Sequence, residues 1–412
     1  MNSTNYQHRK SKAKITVNAG GKAVVNQQLK ITQTNHEFLF GVGGFDAIEF
    51  TGGSRDGTPI TEERRTFLQE RLDIIFSVMN YTTLPFYLGR YEPVEGKHDT
   101  QRTLAAAEYY KKRNVRIKGH PLVWHTVCAD WLMNYSNREI LQKLRERINR
   151  DVTSFKGIID MWDVINEVVI MPVFDKYDNA VTRVCKEIGR VSMIREVFKA
   201  AREANPNAVL LLNDFDLSAK YEILIDGCLQ AGIPIDVIGI QSHQHQGYWG
   251  QEKTMEILER YAQFKIPMHF TENTIISGDI MPAHIVDLND WQVESWLSTP
   301  EGEERQAREI TEMYANLFAH PLVEAVTTWS ATDGNWLKAP AGILRQDNSI
   351  KPVFNELKKL IKGEWLTNAN SSTNANGEID FEGFRGEYEA ELNGKKIQFV
   401  LGKDGAAVKL DF

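Results

Sequence analysis

Met161-Trp162-Asp163-Val164-Ile165-Asn166-Glu167 is an apolar run that closes on a carboxylate. Helical spacing of apolar residues precedes it at Asn137–Phe155 and follows it at Thr182–Ala204, and Ala208–Phe215 is again a short apolar run. Run, helix and run make one strand–helix–strand unit. The same alternation extends outward in both directions. Strands are predicted at Phe38–Phe45, Ile75–Tyr87, Arg116–Trp124, Met161–Val168, Ala208–Phe215, Val237–His243, Met268–Thr274 and Ala325–Ser330. Helices are predicted at Glu62–Ile75, Thr103–Arg113, Asn137–Phe155, Thr182–Ala204, Tyr221–Ala231, Met255–Phe264, Glu303–Phe318 and Lys351–Lys362. The strands are short, continuous and rich in Val, Ile and Leu, as strands buried on both faces must be. Eight such units predict an α/β chain folded as a (β/α)8 TIM barrel. A doubly wound open sheet would carry G-x-G-x-x-G after its first strand. Gly41-Val42-Gly43-Gly44 does not make that pattern and lies within the strand itself.

The ends of the chain read differently. Lys14–Gln33 alternates apolar and polar residues about Asn18-Ala19-Gly20-Gly21, which predicts a hairpin. Leu366–Gly377 is rich in Asn, Ser and Thr and reads as a linker. Glu378–Phe412 alternates again, with breaks at Asn393-Gly394 and Asp404-Gly405, and has room for three or four strands. Segments this short rarely stand alone. The expected organisation is therefore a β segment over 1–36, a catalytic barrel over 37–365, a linker over 366–377 and a second β segment over 378–412. The two β segments should pack together as a small structural appendage, with Phe381, Phe384, Tyr388 and Phe399 spaced for its core.

Composition excludes several classes. Hydrophobic residues are 42% and charged residues 25% of the 412, which is ordinary globular protein. A net charge of -7 argues against nucleic acid or an anionic membrane as partner. Cys128, Cys185 and Cys228 cannot all pair within one chain and form no C-x-x-C, so neither a disulfide framework nor a structural zinc is expected. The longest apolar runs are too short to span a bilayer. Met1 to Lys14 is polar and basic with no apolar h-region. An extracellular or periplasmic location is expected if a signal has been removed, and a cytoplasmic one otherwise.

In a barrel of this kind the chemistry sits at the C-terminal ends of the strands. Polar residues there are His120, Trp124 and His125 after strand three, Asn166 and Glu167 after strand four, and Asn213 and Asp214 after strand five. Gln241 and His243 follow strand six, Glu272 closes Ile266-Pro267-Met268-His269-Phe270-Thr271-Glu272, and Trp329, Asp333 and Trp336 follow strand eight. A carboxylate at the end of a buried strand is costly without a task. Two of them, flanked by groups suited to holding a sugar, point to a carboxylate pair that cleaves glycosidic bonds. No cofactor is called for.

The constellation resembles the family 10 glycoside hydrolases, the endo-β-1,4-xylanase family. The matching pieces are G-H-P-L-V-W-H at 119–125, W-D-V-I-N-E at 162–167, Q-S-H at 241–243, T-E at 271–272 and T-W…T-D…W at 328–336. The resemblance implies a retaining hydrolase of β-linked oligo- or polysaccharides, with Glu167 as general acid/base and Glu272 as nucleophile. It implies that Asn166 bonds the 2-hydroxyl of the sugar being cleaved, that His243 bonds Glu272 and that Gln241 sits near Glu167. His120, Trp124, Trp329 and Trp336 would wall the subsite before the scissile bond. Trp249, Trp291 and Trp296 are candidates for the leaving-group side.

Two departures stand out. The family's E-N-x-x-K after strand two is replaced here by Thr83, Leu84 and Tyr87, counted back from Glu92-Pro93. The family's T-E-L-D becomes Thr271-Glu272-Asn273-Thr274, which removes the aspartate behind the histidine. An altered sugar-binding subsite is expected, with Tyr87 in it and Arg90 as a candidate clamp for an acidic substituent. Two rival readings are a metal-dependent barrel hydrolase, using His243-Gln244-His245 with His120, Asp214 and Asp333, and a sugar-binding protein without catalysis.

Overall fold

The structure is a computed structural model and describes residues 6–412. Three strands, β1 (Lys10–Ala19), β2 (Lys22–Ala23) and β3 (Gln28–His36), come first. A closed barrel of eight parallel strands follows: β4 (Leu39–Gly43), β5 (Tyr81–Pro85), β6 (Arg116–His120), β7 (Met161–Asn166), β8 (Val209–Asp214), β9 (Val237–Gln244), β10 (Met268–Ile275) and β11 (Val323–Thr328). Five further strands close the chain: β12 (Asn368–Ser372), β13 (Glu378–Phe384), β14 (Gly386–Leu392), β15 (Lys395–Leu401) and β16 (Ala406–Asp411).

The barrel strands are buried on both sides, which is why they read as continuous apolar runs. Leu39, Tyr81, Ala325 and Met161 fill the floor of the barrel. The other faces of the strands join one large core with the surrounding helices. A local signal fixes where one of these helices starts. Ser136 and Glu139 form a reciprocal capping box at the head of Asn137–Phe155, the helix that delivers the chain to β7.

Three expectations need correction. The first predicted helix runs over Glu62–Phe76, and the second barrel strand is only Tyr81–Pro85, because Ile75 and Phe76 belong to the helix. The predicted helix Thr182–Ala204 is two helices, Ala180–Ile188 and Arg190–Ala204, broken at Gly189, whose φ of 79° suits glycine. The stretch 366–377 is not simply a linker, since Asn368–Ser372 pairs antiparallel with β3. Its Asn-Ser composition hid a polar edge strand whose side chains need no apolar face.

The terminal segments interleave into two sheets. One has the order β13-β1-β16, with β2 paired to β1, and the other is β12-β3-β14-β15. They share their own core of residues such as Ile15, Val17, Ile31, Tyr388 and Phe399. The unit docks on the N-terminal end of the barrel. Buried Arg9 donates to the carbonyls of Phe318, His320 and Val323, the last of which begins β11. Asn80, just before β5, donates to Asn35 Oδ1 and to the carbonyls of His36 and Phe38. The appendage thus braces the end of the barrel opposite to the site.

Candidate active site

Irregular backbone aims the two glutamates. The β7–β8 register shifts between Asp163 and Ile165, and the β9–β10 register shifts between Phe270 and Glu272. Such bulges re-aim side chains at barrel rims. Glu167 itself has a φ of 57°, unusual for a residue with a side chain, and its N–H is held 2.8 Å from the Asn213 carbonyl. Strain of this kind persists only where the surroundings over-determine it.

A chain of amides joins the two carboxyls. Gln241 Nε2 donates to Glu167 Oε1 (3.2 Å) and to Asn166 Oδ1 (3.1 Å). Asn213 Nδ2 donates to Asn166 Oδ1 (2.8 Å) and to Glu272 Oε1 (2.9 Å). Thr271 Oγ1 fixes the amide of Asn213 by donating to its Oδ1 at 2.6 Å. Asn166 Nδ2 also reaches Glu167 Oε1, at 3.2 Å. Gln241 thus lies beside Glu167, as the resemblance implied, and Asn166 contacts both.

The two carboxyls have opposite electrostatic surroundings. Burial, and then the charge of Glu272, push Glu167 up to about 8 despite the hydrogen bonds from Trp124 and Gln241. Burial also disfavours ionised Glu272, but the charge of His120, the hydrogen bond and charge of His243 and the charge of Lys118 outweigh it, so its carboxyl is held below the usual range. Asp214 adds a third buried carboxyl near Glu167. Burial raises it to about 7, although it accepts hydrogen bonds from the N–H groups of Val169 (3.0 Å) and Asp216 (3.0 Å).

Two histidines back Glu272. His243 Nε2 lies 3.3 Å from Oε2, as the sequence resemblance implied, and its Nδ1 lies 3.3 Å from the Thr274 hydroxyl. A hydroxyl can donate to Nδ1, whereas a carboxylate only accepts. His120 Nε2 lies 3.8 Å from Glu272 Oε1, while its Nδ1 is 2.7 Å from Asp163 Oδ2. Lys118 Nζ is 2.6 Å from the same oxygen, and both Lys118 and Asp163 are fully buried. Sequence reading missed Lys118 and Asp163. They flank recognised residues, one before Gly119-His120 and one inside the W-D-V-I-N-E run; strand alternation turns Lys118 to the same side as His120, where both meet Asp163.

Aromatic rings line the mouth. Tyr87 lies 5.5 Å from the His120 ring and 5.6 Å from Trp124, and Trp329 lies 5.3 Å from His120. Trp336 covers His243 at 4.3 Å. Trp124 does more than wall the subsite, since its indole N–H donates to Glu167 Oε2 at 2.8 Å. Arg90 is exposed, 5.9 Å above the Tyr87 ring. Leu84 is fully buried in the helix–sheet core, so it does not replace the family's asparagine in the cleft. His245 is buried between Trp296 (5.6 Å) and Trp336 (5.1 Å). Among the described residues, no three His, Cys, Asp or Glu side chains are grouped to hold a metal ion, so the H-x-H reading has no supporting geometry. His125 packs on Phe174 at 4.5 Å.

Comparison with known proteins gives the family and the fold. The model of glycosyl hydrolase family 10 matches residues 87–359, well over half of the chain. The chain belongs to glycosyl hydrolase family 10. This family 10 chain is 27% identical over 222 residues to an endo-1,4-beta-xylanase/feruloyl esterase of Xylanibacter ruminicola, covering 47% of the chain and 30% of that relative. It is 26% identical over 257 residues to endo-1,4-beta-xylanase A of Caldicellulosiruptor saccharolyticus, covering 58% of the chain and 71% of that relative. The chain thus spans less than a third of the Xylanibacter protein. Xylanase 10B of Thermotoga petrophila, solved with xylobiose, superposes with a TM-score of 0.62 at 19% identity, over 80% of this chain and 95% of that one. That likeness extends to the fold.

Proposed function

We propose that this family 10 member is a retaining glycoside hydrolase acting on β-linked oligo- or polysaccharides of the xylan type, with Glu167 as acid/base and Glu272 as nucleophile. One observation carries the reading: two buried carboxyls, joined through Asn166, Asn213 and Gln241, are pushed in opposite directions. Glu167 keeps its proton to about pH 8 and Glu272 is held ionised. A general acid and a nucleophile are needed in those states at neutral pH. Glu167 protonates the leaving oxygen while Glu272 attacks the anomeric carbon. Glu167 then takes the proton of the water that frees the sugar from Glu272. The two histidines orient Glu272 and keep it charged.

The glycone side is modified. Tyr87 stands beside His120 and Trp124 where the family resemblance implies a lysine, so a flat apolar face replaces a cation near the sugar before the scissile bond. This favours a glycan with a missing, substituted or reoriented hydroxyl over unsubstituted xylan. A panel of β-linked glycans assayed with wild type, with Glu272→Ala as the blank, tests the activity. No glycan giving turnover above that blank would defeat the reading and leave a non-catalytic sugar binder.

A further inference from the structure

The loop after β10, residues 276–299, crosses the barrel mouth. It leaves the nucleophile strand beside the last loop, where Ser277 N donates to the Pro340 carbonyl (2.9 Å). It then passes over the end of β9, where Met281 N bonds the His245 carbonyl (2.9 Å) and Gln246 Nε2 donates to the carbonyls of Pro282 (3.0 Å) and Ile285 (2.7 Å). Next it reaches the loop that follows Glu167. Lys176 Nζ lies 2.7 Å from Asp287 Oδ2 and 2.8 Å from Asp290 Oδ1. The loop returns through Lys338, whose Nζ donates to the Val293 carbonyl (3.0 Å), and Ser298, which donates to Asp333 Oδ2 (2.8 Å).

The strand order decides what this strap covers. The acid strand β7 and the nucleophile strand β10 are separated on one side by β8 and β9 alone. Tyr87, His120 and Trp329 stand on the other side, at the ends of β5, β6 and β11, the side on which Tyr87 meets the glycone in the proposed function. The leaving group must therefore depart over β8 and β9. That is the sector spanned by the strap and its bridge to Lys176. The strap also rests on the site wall, since Trp296 touches His245, His245 touches Trp336, and Trp336 covers His243.

We propose that Lys176, with Asp287 and Asp290, determines specificity by closing the leaving-group end of the cleft, so that the enzyme releases a short leaving group and does not cut deep inside a long chain. This rests on the glycosidase reading and extends it to the mode of action. Lys176 is the far anchor of the strap, and the two aspartates give it one partner from each side of the short turn Leu288–Asp290. The contacts to Gln246 and Lys338 hold the near side when the anchor is lost. Removing Lys176 should then swing the strap aside without dismantling it.

The test is the cleavage pattern of xylohexaose labelled with 18O at its reducing end, read by mass spectrometry, beside hydrolysis of 4-nitrophenyl β-xylobioside as the reference for chemistry. Wild type should cut mainly one or two residues from the labelled end. Lys176→Ala should raise the share of cuts leaving three or more residues on the leaving side by roughly three- to fivefold, the population shift that an exposed ion pair supports. Lys176→Glu should do the same, and Lys176→Glu combined with Asp287→Lys and Asp290→Lys should restore the wild-type pattern. A structural role for Lys176 alone predicts no such rescue. Wild type that cuts internal bonds freely, or an unchanged pattern in both single variants, overturns the proposal while the reference hydrolysis still upholds the glycosidase reading. Absence of all hydrolysis, of xylohexaose, of the aryl glycoside and across the glycan panel, overturns both.

Discussion

Trp124 holds its indole N–H 2.8 Å from Oε2 of Glu167. The bond stabilises the carboxylate form and pulls against the burial that raises this group to about 8. Trp124 therefore sets the upper pH limit of the acid, as well as facing the sugar. In Trp124→Phe the opposing pull is gone and Glu167 keeps its proton to higher pH. The alkaline limb of kcat/KM should move up by roughly one unit, the equivalent of about 1.4 kcal/mol and within the range for a hydrogen bond to a charged group. Rate profiles on an aryl glycoside measure it. An alkaline limb that stays put or moves down contradicts the assignment of Glu167 as the acid.

The acid limb belongs to Glu272. Its carboxyl is held below the ordinary range, so attack should fail only in strongly acidic buffer, and the full profile should be a bell centred between the two groups. Glu167→Ala and Glu272→Ala should then fail differently. Without Glu272 no covalent intermediate forms on any substrate. Without Glu167 an activated aryl glycoside still reacts, because its leaving group needs little protonation. Azide should rescue Glu167→Ala and yield a β-glycosyl azide, which NMR identifies. Equal and unrescued loss in both variants, or an α-azide, contradicts the retaining scheme.

Glu167 also carries a stability signature. Its folded-state value lies near 8, far above the ordinary 4.5. Between those two pH values the unfolded chain loses this proton and the folded chain keeps it. Stability contributed by the group is thus present below about pH 4.5 and is lost as pH rises through the window to about 8. Glu167→Gln has no proton to lose. The difference in unfolding free energy, variant minus wild type, should grow from pH 5 to pH 8 and reach roughly 1–3 kcal/mol of added stability for a buried polar group of this kind. Thermal unfolding at a series of pH values checks it, and a constant difference would remove the inferred shift.

Most of the frame was legible because barrel strands buried on both faces leave continuous apolar runs, and because both glutamates close such runs. Glu167, Glu272, Asn166, Gln241 and His243 meet as their strand-end positions required. The rest needed coordinates for physical reasons. The polar strand Asn368–Ser372 carries no apolar alternation, so composition alone made it look like a linker. Leu84 and Tyr87 are three residues apart, yet one turns to the helix layer and the other to the cleft, and only the backbone turn after Pro85 separates them. Lys118 and Asp163 looked like ordinary charges until the barrel brought them to 2.6 Å. The Lys176 bridge joins residues more than a hundred positions apart, and no local spacing encodes it.

Specificity turns on Tyr87. Burial, and then the charge of Glu272, hold its phenol well above the usual range, so it is a neutral hydrogen-bonding group with an apolar face. A lysine there would offer three donors and a charge to sugar hydroxyls. A site built on such donors rejects ligands that leave them unpaired, and removing them lifts that penalty. Leu84 adds nothing to this, since it faces the core, so the loss of the lysine falls on Tyr87. Wild type should therefore turn over a substituted or reoriented β-glycan better than xylo-oligosaccharides of equal length. Tyr87→Lys should raise the preference for xylo-oligosaccharides by roughly tenfold or more, the worth of one charged hydrogen bond of about 1.5–3 kcal/mol. Arg90, exposed beside the ring, is the control: Arg90→Ala should leave that preference within about twofold unless the substrate carries an acidic group. The readout is the ratio of kcat/KM values across the glycan panel. Xylo-oligosaccharide turnover in wild type as fast as the best substrate, unaltered in Tyr87→Lys, would mean that the tyrosine does not set the choice of sugar.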